Sequence, residues 1–162
     1  MEDAKNILIY AYGNPGRQDD GLGNAFAENI ETWITEKAIK GIEVESNYQL
    51  NIEDSDLIST KDIVLFVDAT IEEIENFYID EVKASDAKIE FTMHAVSPAF
   101  VLNLCNQIYD KDPKCYLLHI KGYEWGFKEE LSEKAIENLN LALDFVKKEI
   151  LLGLNFDKVE SL

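Results

Sequence analysis

Positively charged side chains are scarce in this sequence, which has 15 lysines and arginines against 32 aspartates and glutamates, a formal net charge of −17. A field of that sign repels phosphate backbones and anionic headgroups, so we expect neither nucleic acid nor an acidic membrane as a partner. Such acidity is typical of a well-solvated surface. It also suits cationic partners such as metal ions or basic peptide segments.

Long apolar runs are missing as well. No segment approaches the ~18–20 apolar residues of a membrane-crossing helix. The polar start of the chain, residues 1–6, lacks the basic and apolar regions of a signal peptide. Neither of the two cysteines, Cys105 and Cys115, lies in a Cys-x-x-Cys pair, so buried, reduced thiols are expected. These absences together predict a cytoplasmic protein.

Linkers, repeats and low-complexity tracts are also absent, and 162 residues suit one domain, which we place at residues 1–162. Apolar periodicity alternates between strand-like and helix-like segments, which is typical of α/β folds. We therefore predict a three-layer sandwich, in which helices cover both faces of a twisted, mostly parallel sheet of about five strands.

Strands are predicted where apolar residues run together or alternate with polar ones. The main predicted strands are 7–12, 42–49, 63–69 and 115–120, and the shorter ones, nearer a sheet edge, are 77–82 and 89–93. Helices are predicted where apolar residues recur at helical spacing or where a capping serine precedes them. The predicted helices begin near Gly21, Asn51, Ser97 and Ser132.

The first predicted strand leads into a glycine-rich segment, 13–23. Its spacing is not Gly-x-Gly-x-x-Gly, and it has no Gly-Lys-Ser/Thr for a phosphate-binding loop. Asp19 and Asp20 occupy the predicted helix start, where their charges would repel a phosphate from the amide groups. We expect one of the pair to cap the helix, which leaves the other carboxylate available for chemistry.

Two more polar residues adjoin predicted strands. Asp68 ends the apolar run 63–67, and His94 lies between a strand and the helix that begins at Ser97. Each alone has an ordinary structural explanation, but the ends of parallel strands meet at one edge of a sheet. Two carboxylates and an imidazole suit nickel, zinc or manganese with coordination positions left open. His119, in the middle of a strand, is predicted to be structural.

Other catalytic arrangements are less well supported. Ser97 is explained by capping, and neither cysteine has a positioned base, so no nucleophilic set emerges. If the two aspartates worked without a metal, they would have to share one proton. The nearby histidine favours a metal site over such a dyad.

These segments resemble the hydrogenase maturation endopeptidases. Residues 13–23 are similar to that family's Gly-Asn-x-x-x-x-Asp-Asp/Glu-Gly-x-Gly loop, and Asp68-Ala69 is similar to its Asp-Ala at the end of a hydrophobic strand. Residues 94–98 are similar to its His-x-x-Ser-Pro-like segment. The likeness continues through 49–54 and the helix start at 131–132, so it spans nearly the whole chain in order.

The resemblance implies a hydrolase, in a family sometimes grouped with aspartic-type endopeptidases. Such an enzyme removes the C-terminal extension of a nickel–iron hydrogenase large-subunit precursor after nickel insertion. Asp20, Asp68 and His94 would be the catalytic and metal-contacting residues. Nickel would be carried by the precursor, another divalent metal could substitute, and no further cofactor is implied. The residues that shape the loop would be Gly13, Asn14, Asp19 and Gly21, and we expect a monomer.

The sequence also departs from the family pattern, with Ala11 in place of a common glycine, Gly16-Arg17-Gln18 in place of a commoner Leu-Arg-Gly, and the shorter acid at Asp20. These departures leave the particular hydrogenase open. Two alternatives also stay open. One is a non-catalytic nickel-binding or precursor-checkpoint module that uses the same three residues, and the other is an α/β binding domain in which all three are structural.

Overall fold

A computed structural model of the chain describes residues 5–86 and 96–153. Within these ranges, the strands are β1 Ile7–Tyr12, β2 Ile42–Asn47, β3 Ile63–Thr70, β4 Phe77–Glu81 and β5 Lys114–Lys121. The helices are a 3₁₀ helix at Gln18–Gly21, α1 Leu22–Glu36, α2 Asp54–Ser59, α3 Pro98–Tyr109 and α4 Glu133–Leu151. The strand predicted at 89–93 lies outside the described residues.

The five strands form one sheet in the order β2-β1-β3-β5-β4. All neighbouring pairs are parallel except β4 with β5, so the prediction of a mostly parallel sheet is confirmed. Phe77 pairs with Ile120, which means that antiparallel β4 begins at the edge where β5 ends. The carboxyl ends of β1, β3 and β5 therefore share an edge with the start of β4.

Helices cover both faces of the sheet, as predicted. Alternate residues of β3 enter two apolar cores, because successive side chains of a strand point to opposite faces. Leu65 and Val67 pack in the core beneath α1 and α4, whereas Val64 and Phe66 pack in the core beneath α2 and α3. Full burial of one such side chain contributes about 1.5–3 kcal/mol, so the uninterrupted apolar run of β3 holds all three layers together.

The helix starts follow local capping chemistry only in part. Ser97 accepts a hydrogen bond from the Phe100 N–H, and Ser132 accepts one from the Ala135 N–H, so both predicted serine caps are confirmed. The helix predicted near Asn51 begins at Asp54, after a turn in which the Asp54 N–H donates to the Asn51 carbonyl at 3.1 Å and the Asp54 carboxylate accepts the Asn51 N–H at 2.8 Å. None of the helices in the described ranges is long and apolar enough to cross a membrane.

Candidate functional site

The loop after β1 turns sharply at Gly13 and then forms the 3₁₀ helix. Gly13 has φ +152°, and a Cβ atom there would lie 2.1 Å from the Asp20 carbonyl oxygen. Gly23 packs α1 closely onto the sheet, since a Cβ atom there would lie 2.8 Å from the Val67 carbonyl oxygen. These two glycines let the 3₁₀ helix and the start of α1 lie directly on the ends of β1 and β3.

Asp20 presents its carboxylate at this edge of the sheet. Its side chain is half-buried and accepts a hydrogen bond from the Asn14 N–H at 3.0 Å. The Asn14 side chain in turn accepts the Gly16 N–H at 2.9 Å, which holds the loop in its turn. Asn14 therefore shapes the loop and orients the Asp20 carboxylate.

Asp19, by contrast, is fully buried and binds a distant loop. Its carboxylate accepts hydrogen bonds from the N–H groups of Tyr123 at 2.7 Å and Glu124 at 2.9 Å. It also accepts both the N–H and the hydroxyl of Ser132, at 2.8 and 2.7 Å. Burial alone would raise the pKa of Asp19, but the hydrogen bonds from Ser132, Glu124 and Tyr123 hold it below its usual value.

The expectation that Asp19 or Asp20 caps α1 is wrong. The N-cap residue of α1 is Gly21, and no side chain caps it. The 3₁₀ helix separates both aspartates from the first turn of α1, so Asp19 reaches the segment after β5 and Asp20 reaches back to Asn14.

Asp68 lies on β3, two residues before the strand ends, so it is still paired within the sheet. Burial raises the pKa of Asp68 to about 7; a hydrogen bond from the Ala69 N–H opposes this shift, and the nearby negative charge of Asp20 adds to it. The charge of Asp68 in turn adds to burial in raising the pKa of the Tyr12 hydroxyl. The charge of Asp20 therefore reaches Asp68 across the ends of β1 and β3.

A pair of neighbouring carboxylates, one of them poorly hydrated, favours either a proton or a cation between them. Within residues 5–86 and 96–153, however, no group of three His, Cys, Asp or Glu side chains is placed to hold a metal ion. Of the three predicted metal donors, the described part of the chain contains Asp20 and Asp68. His94, the predicted third donor, lies outside the described residues.

His119 lies directly opposite Asp68, because β3 and β5 pair these two positions. Its Nε2 atom is 2.9 Å from the Asp80 carboxylate, and its ring centroid is 5.5 Å from that of Tyr78. The sequence interpretation of His119 as structural did not foresee the Asp80 partner. That contact depends on the antiparallel pairing of β4, which local periodicity does not reveal.

No family model and no curated protein matches the sequence. Solved structures do match it over most of its length. A [NiFe] hydrogenase maturation protease HycI from Thermococcus kodakarensis KOD1 is 21% identical, with a TM-score of 0.70 over 89% of this chain and 91% of that chain. The hydrogenase maturating endopeptidase HybD from E. coli is 18% identical, with a TM-score of 0.67 over 91% of this chain and 94% of that one.

A hydrogenase 2 maturation peptidase from Thaumarchaeota archaeon SCGC_AB-539-E09 is also 18% identical, with a TM-score of 0.65 over 93% of this chain and 100% of that one. These likenesses show that the chain has the fold of the hydrogenase maturation proteases. The fold implied by the sequence resemblance is therefore confirmed.

Proposed function

We propose that this protein is an endopeptidase that removes the C-terminal extension of a nickel–iron hydrogenase large-subunit precursor after nickel insertion. The observation that carries the proposal is the placement of Asp20 and Asp68. The charge of Asp20 raises the pKa of Asp68 at the strand ends, within a fold shared with proteins named as hydrogenase maturation proteases. His94, in the segment similar to the family's His-x-x-Ser-Pro, completes the proposed set.

In this proposal, nickel belongs to the substrate and serves as the recognition signal. A metal ion carried into the site by the precursor would relieve the repulsion between Asp20 and Asp68, which is strongest when both are ionised. That contact would fix the position of the scissile peptide bond. A precursor that still lacks nickel would gain no such stabilisation. Cleavage would therefore follow nickel insertion.

Two chemical routes fit these residues. In the first, the metal polarises the scissile carbonyl and the carboxylates only hold the metal. In the second, Asp68, whose pKa is raised to about 7, accepts a proton from a water molecule as the water oxygen bonds to the scissile carbonyl carbon. The carbon–nitrogen bond then breaks, and the leaving amine takes up that proton. Both routes use ionised Asp68, as a ligand that holds the substrate's metal in the first and as a base in the second.

The test is the intact mass of a nickel-loaded precursor before and after incubation with the purified protein. We expect the precursor to lose its C-terminal extension. Cleavage should fall by at least about a hundredfold in Asp20→Asn, Asp68→Asn and His94→Ala, as is common when a group that acts in the reaction is removed. Asp144→Asn, a neutralisation of an exposed position on α4, is the matched control and should cleave normally.

Three results would count against the proposal. An unchanged precursor mass together with measurable binding would instead favour a non-catalytic checkpoint module. Undiminished cleavage in all three site variants would show that the assigned residues are not the catalytic ones. Absence of both cleavage and binding would favour an α/β domain in which these residues are structural.

A further inference from the structure

An exposed apolar surface lies beside the candidate site and has no role in the chemistry proposed above. It is formed by two loops, 71–76 between β3 and β4 and 122–130 between β5 and α4, which we call the two-loop rim. Three large side chains are exposed there: Phe127 at 89%, Ile71 at 69% and Tyr123 at 40%. Both loops follow strands that end at the edge where Asp20 and Asp68 lie.

Hydrogen bonds join the bases of the two loops. The Gly122 N–H donates to the Thr70 carbonyl at 3.0 Å, and the Lys121 N–H donates to the Asn76 carbonyl at 3.0 Å. The Lys121 ammonium group also donates to the Ile71 carbonyl at 2.8 Å. Ile71 is thereby held beside the start of the loop that carries Phe127.

The loop that carries Phe127 is fixed by the same 3₁₀ helix that carries Asp20. Gln18 donates its N–H to the Lys128 carbonyl at 2.8 Å and accepts the Gly126 N–H on its side-chain oxygen at 2.8 Å. To do so, Gln18 adopts a left-handed φ of +47°, a conformation that is unfavourable for a non-glycine residue. This strained contact connects the rim to the candidate site.

Phe127 remains exposed although the backbone on both sides of it is held in place. The Arg17 guanidinium lies 5.5 Å from the centre of the Phe127 ring and donates to the Trp125 carbonyl at 3.4 Å. An aromatic side chain on a fixed backbone loses little conformational entropy when a partner covers it, and aromatic residues are common anchors in protein interfaces. The position is therefore well suited to contact an apolar side chain of a partner.

The charge around these apolar side chains indicates the kind of partner. The two loops carry one lysine, Lys128, and six glutamates: Glu72, Glu73, Glu75, Glu124, Glu129 and Glu130. Three more cations lie against the apolar side chains, with Arg17 near the Phe127 ring and Lys121 and Lys134 near the Tyr123 ring. Six acidic side chains against these four basic ones leave the rim acidic. An acidic surface with apolar side chains complements a segment that combines basic and apolar residues, and it disfavours an acidic one. The overall net charge of −17 would strengthen the same attraction at longer range.

We propose that the two-loop rim binds a basic and apolar segment of the substrate polypeptide next to the bond that is cleaved, with an apolar side chain against Phe127. This inference rests on the proposed function, because it takes the precursor as the partner. It adds a binding surface that determines which precursors are accepted, separate from the metal contact at Asp20 and Asp68.

The apolar part is tested with Phe127→Ala in cleavage of the nickel-loaded precursor. We expect KM to rise about tenfold, with the larger part of the change in KM rather than in kcat, and the unfolding temperature to stay the same because Phe127 is exposed. The matched control is Leu141→Ala, which truncates another exposed apolar side chain on α4 and should leave KM unchanged.

The charged part is tested with the triple variant Glu72→Gln, Glu73→Gln and Glu75→Gln. Its control neutralises three exposed glutamates on α1 (Glu28→Gln, Glu31→Gln and Glu36→Gln), so both variants gain the same net charge. Association rates are measured between about 0.05 and 0.3 M salt, where screening of exposed charges increases strongly. The rim variant should associate more slowly and depend less on salt, whereas the α1 variant should resemble the parent protein.

The outcomes separate this inference from the proposed function. If the parent protein cleaves the precursor but neither rim variant changes KM or the salt dependence, the rim assignment is wrong and the peptidase proposal stands. Equal weakening by the rim and α1 triple variants would mean that the attraction is diffuse, which also overturns the rim assignment. If the parent protein neither cleaves nor binds the precursor, both proposals fail.

Discussion

A Cβ atom on Gly13 would lie 2.1 Å from the carbonyl oxygen of Asp20. Gly13→Ala would therefore force the loop and the 3₁₀ helix apart, in addition to placing alanine at φ +152°. We expect the free energy of unfolding to fall by more than about 2 kcal/mol and cleavage to fall with it, because Asp20 would move. Urea unfolding and the precursor assay measure the two effects.

Gly16→Ala in the same loop is the control for Gly13→Ala. A Cβ atom on Gly16 would meet only the Asn14 side-chain oxygen, at 3.2 Å, and that side chain can shift slightly. We expect a loss well below that of Gly13→Ala. Equal losses for the two variants would show that the approach of Gly13 to Asp20 is not what fixes the loop.

Asp68→Asn should stabilise the protein while it removes cleavage. The pKa of Asp68 is raised to about 7 in the folded chain by burial and by Asp20, and is about 3.9 when unfolded. The folded state therefore becomes less stable as pH rises from about 4 to 7, and asparagine removes that penalty. We expect a gain of about 1–3 kcal/mol in the free energy of unfolding at pH 8.

The gain should shrink as pH falls from 7 towards 4, because Asp68 then becomes protonated in the folded parent protein. Urea unfolding at pH 8 and pH 5 checks this, with Asp144→Asn as the control that should show no such pH dependence. A loss of stability at pH 8 in Asp68→Asn would mean that the ionised form of Asp68 is stabilised in the free protein. That result would contradict the raised pKa that follows from its burial beside Asp20.

Asp19→Asn should destabilise the protein most at neutral pH. The buried carboxylate accepts four hydrogen bonds, and an amide would place its NH₂ group against donors from Tyr123, Glu124 or Ser132. We expect a loss of about 3 kcal/mol or more, since hydrogen bonds to a charged group contribute about 1.5–3 kcal/mol each. Thermal unfolding at pH 7 measures it.

The carboxylate of Asp19 stabilises the fold more as pH rises, whereas that of Asp68 stabilises it less. The pKa of Asp19 is lowered on folding, so its contribution is fully present above the usual aspartate pKa and is lost as pH falls through the folded value. The difference between Asp19→Asn and the parent protein should therefore decrease in strong acid. A difference that stays constant down to low pH would show that the charge of Asp19 is not what stabilises the loop.

The sequence predicts elements whose cause is local. Strand β3 contains an uninterrupted apolar run from Ile63 to Val67. Ser97 and Ser132 each cap a helix by accepting a hydrogen bond from the N–H three residues later. The strand and both caps were therefore predicted correctly. The role of Asp19 was missed because its partners lie more than 100 residues away. The Asp80 partner of His119, 39 residues away, was missed because the contact requires the pairing of β4 with β5.

The two histidines of the chain, His94 and His119, provide the sharpest test of the site assignment. His119 lies opposite Asp68, yet its Nε2 atom is taken by Asp80, and the described residues contain no three-ligand group that includes it. We therefore expect His119→Asn to cleave within about threefold of the parent protein, while losing about 1 kcal/mol of stability with the Asp80 contact.

His94→Ala, by contrast, should lower cleavage by at least about a hundredfold if His94 supplies the imidazole to the substrate's metal. The comparison is made with both variants in the same single-turnover assay, after circular dichroism has shown that both are folded. A reversed result, with cleavage lost in His119→Asn and kept in His94→Ala, would move the imidazole role to β5. Because His119 lies opposite Asp68, that result would leave the two aspartates and the peptidase proposal in place, and would change only which histidine completes the site.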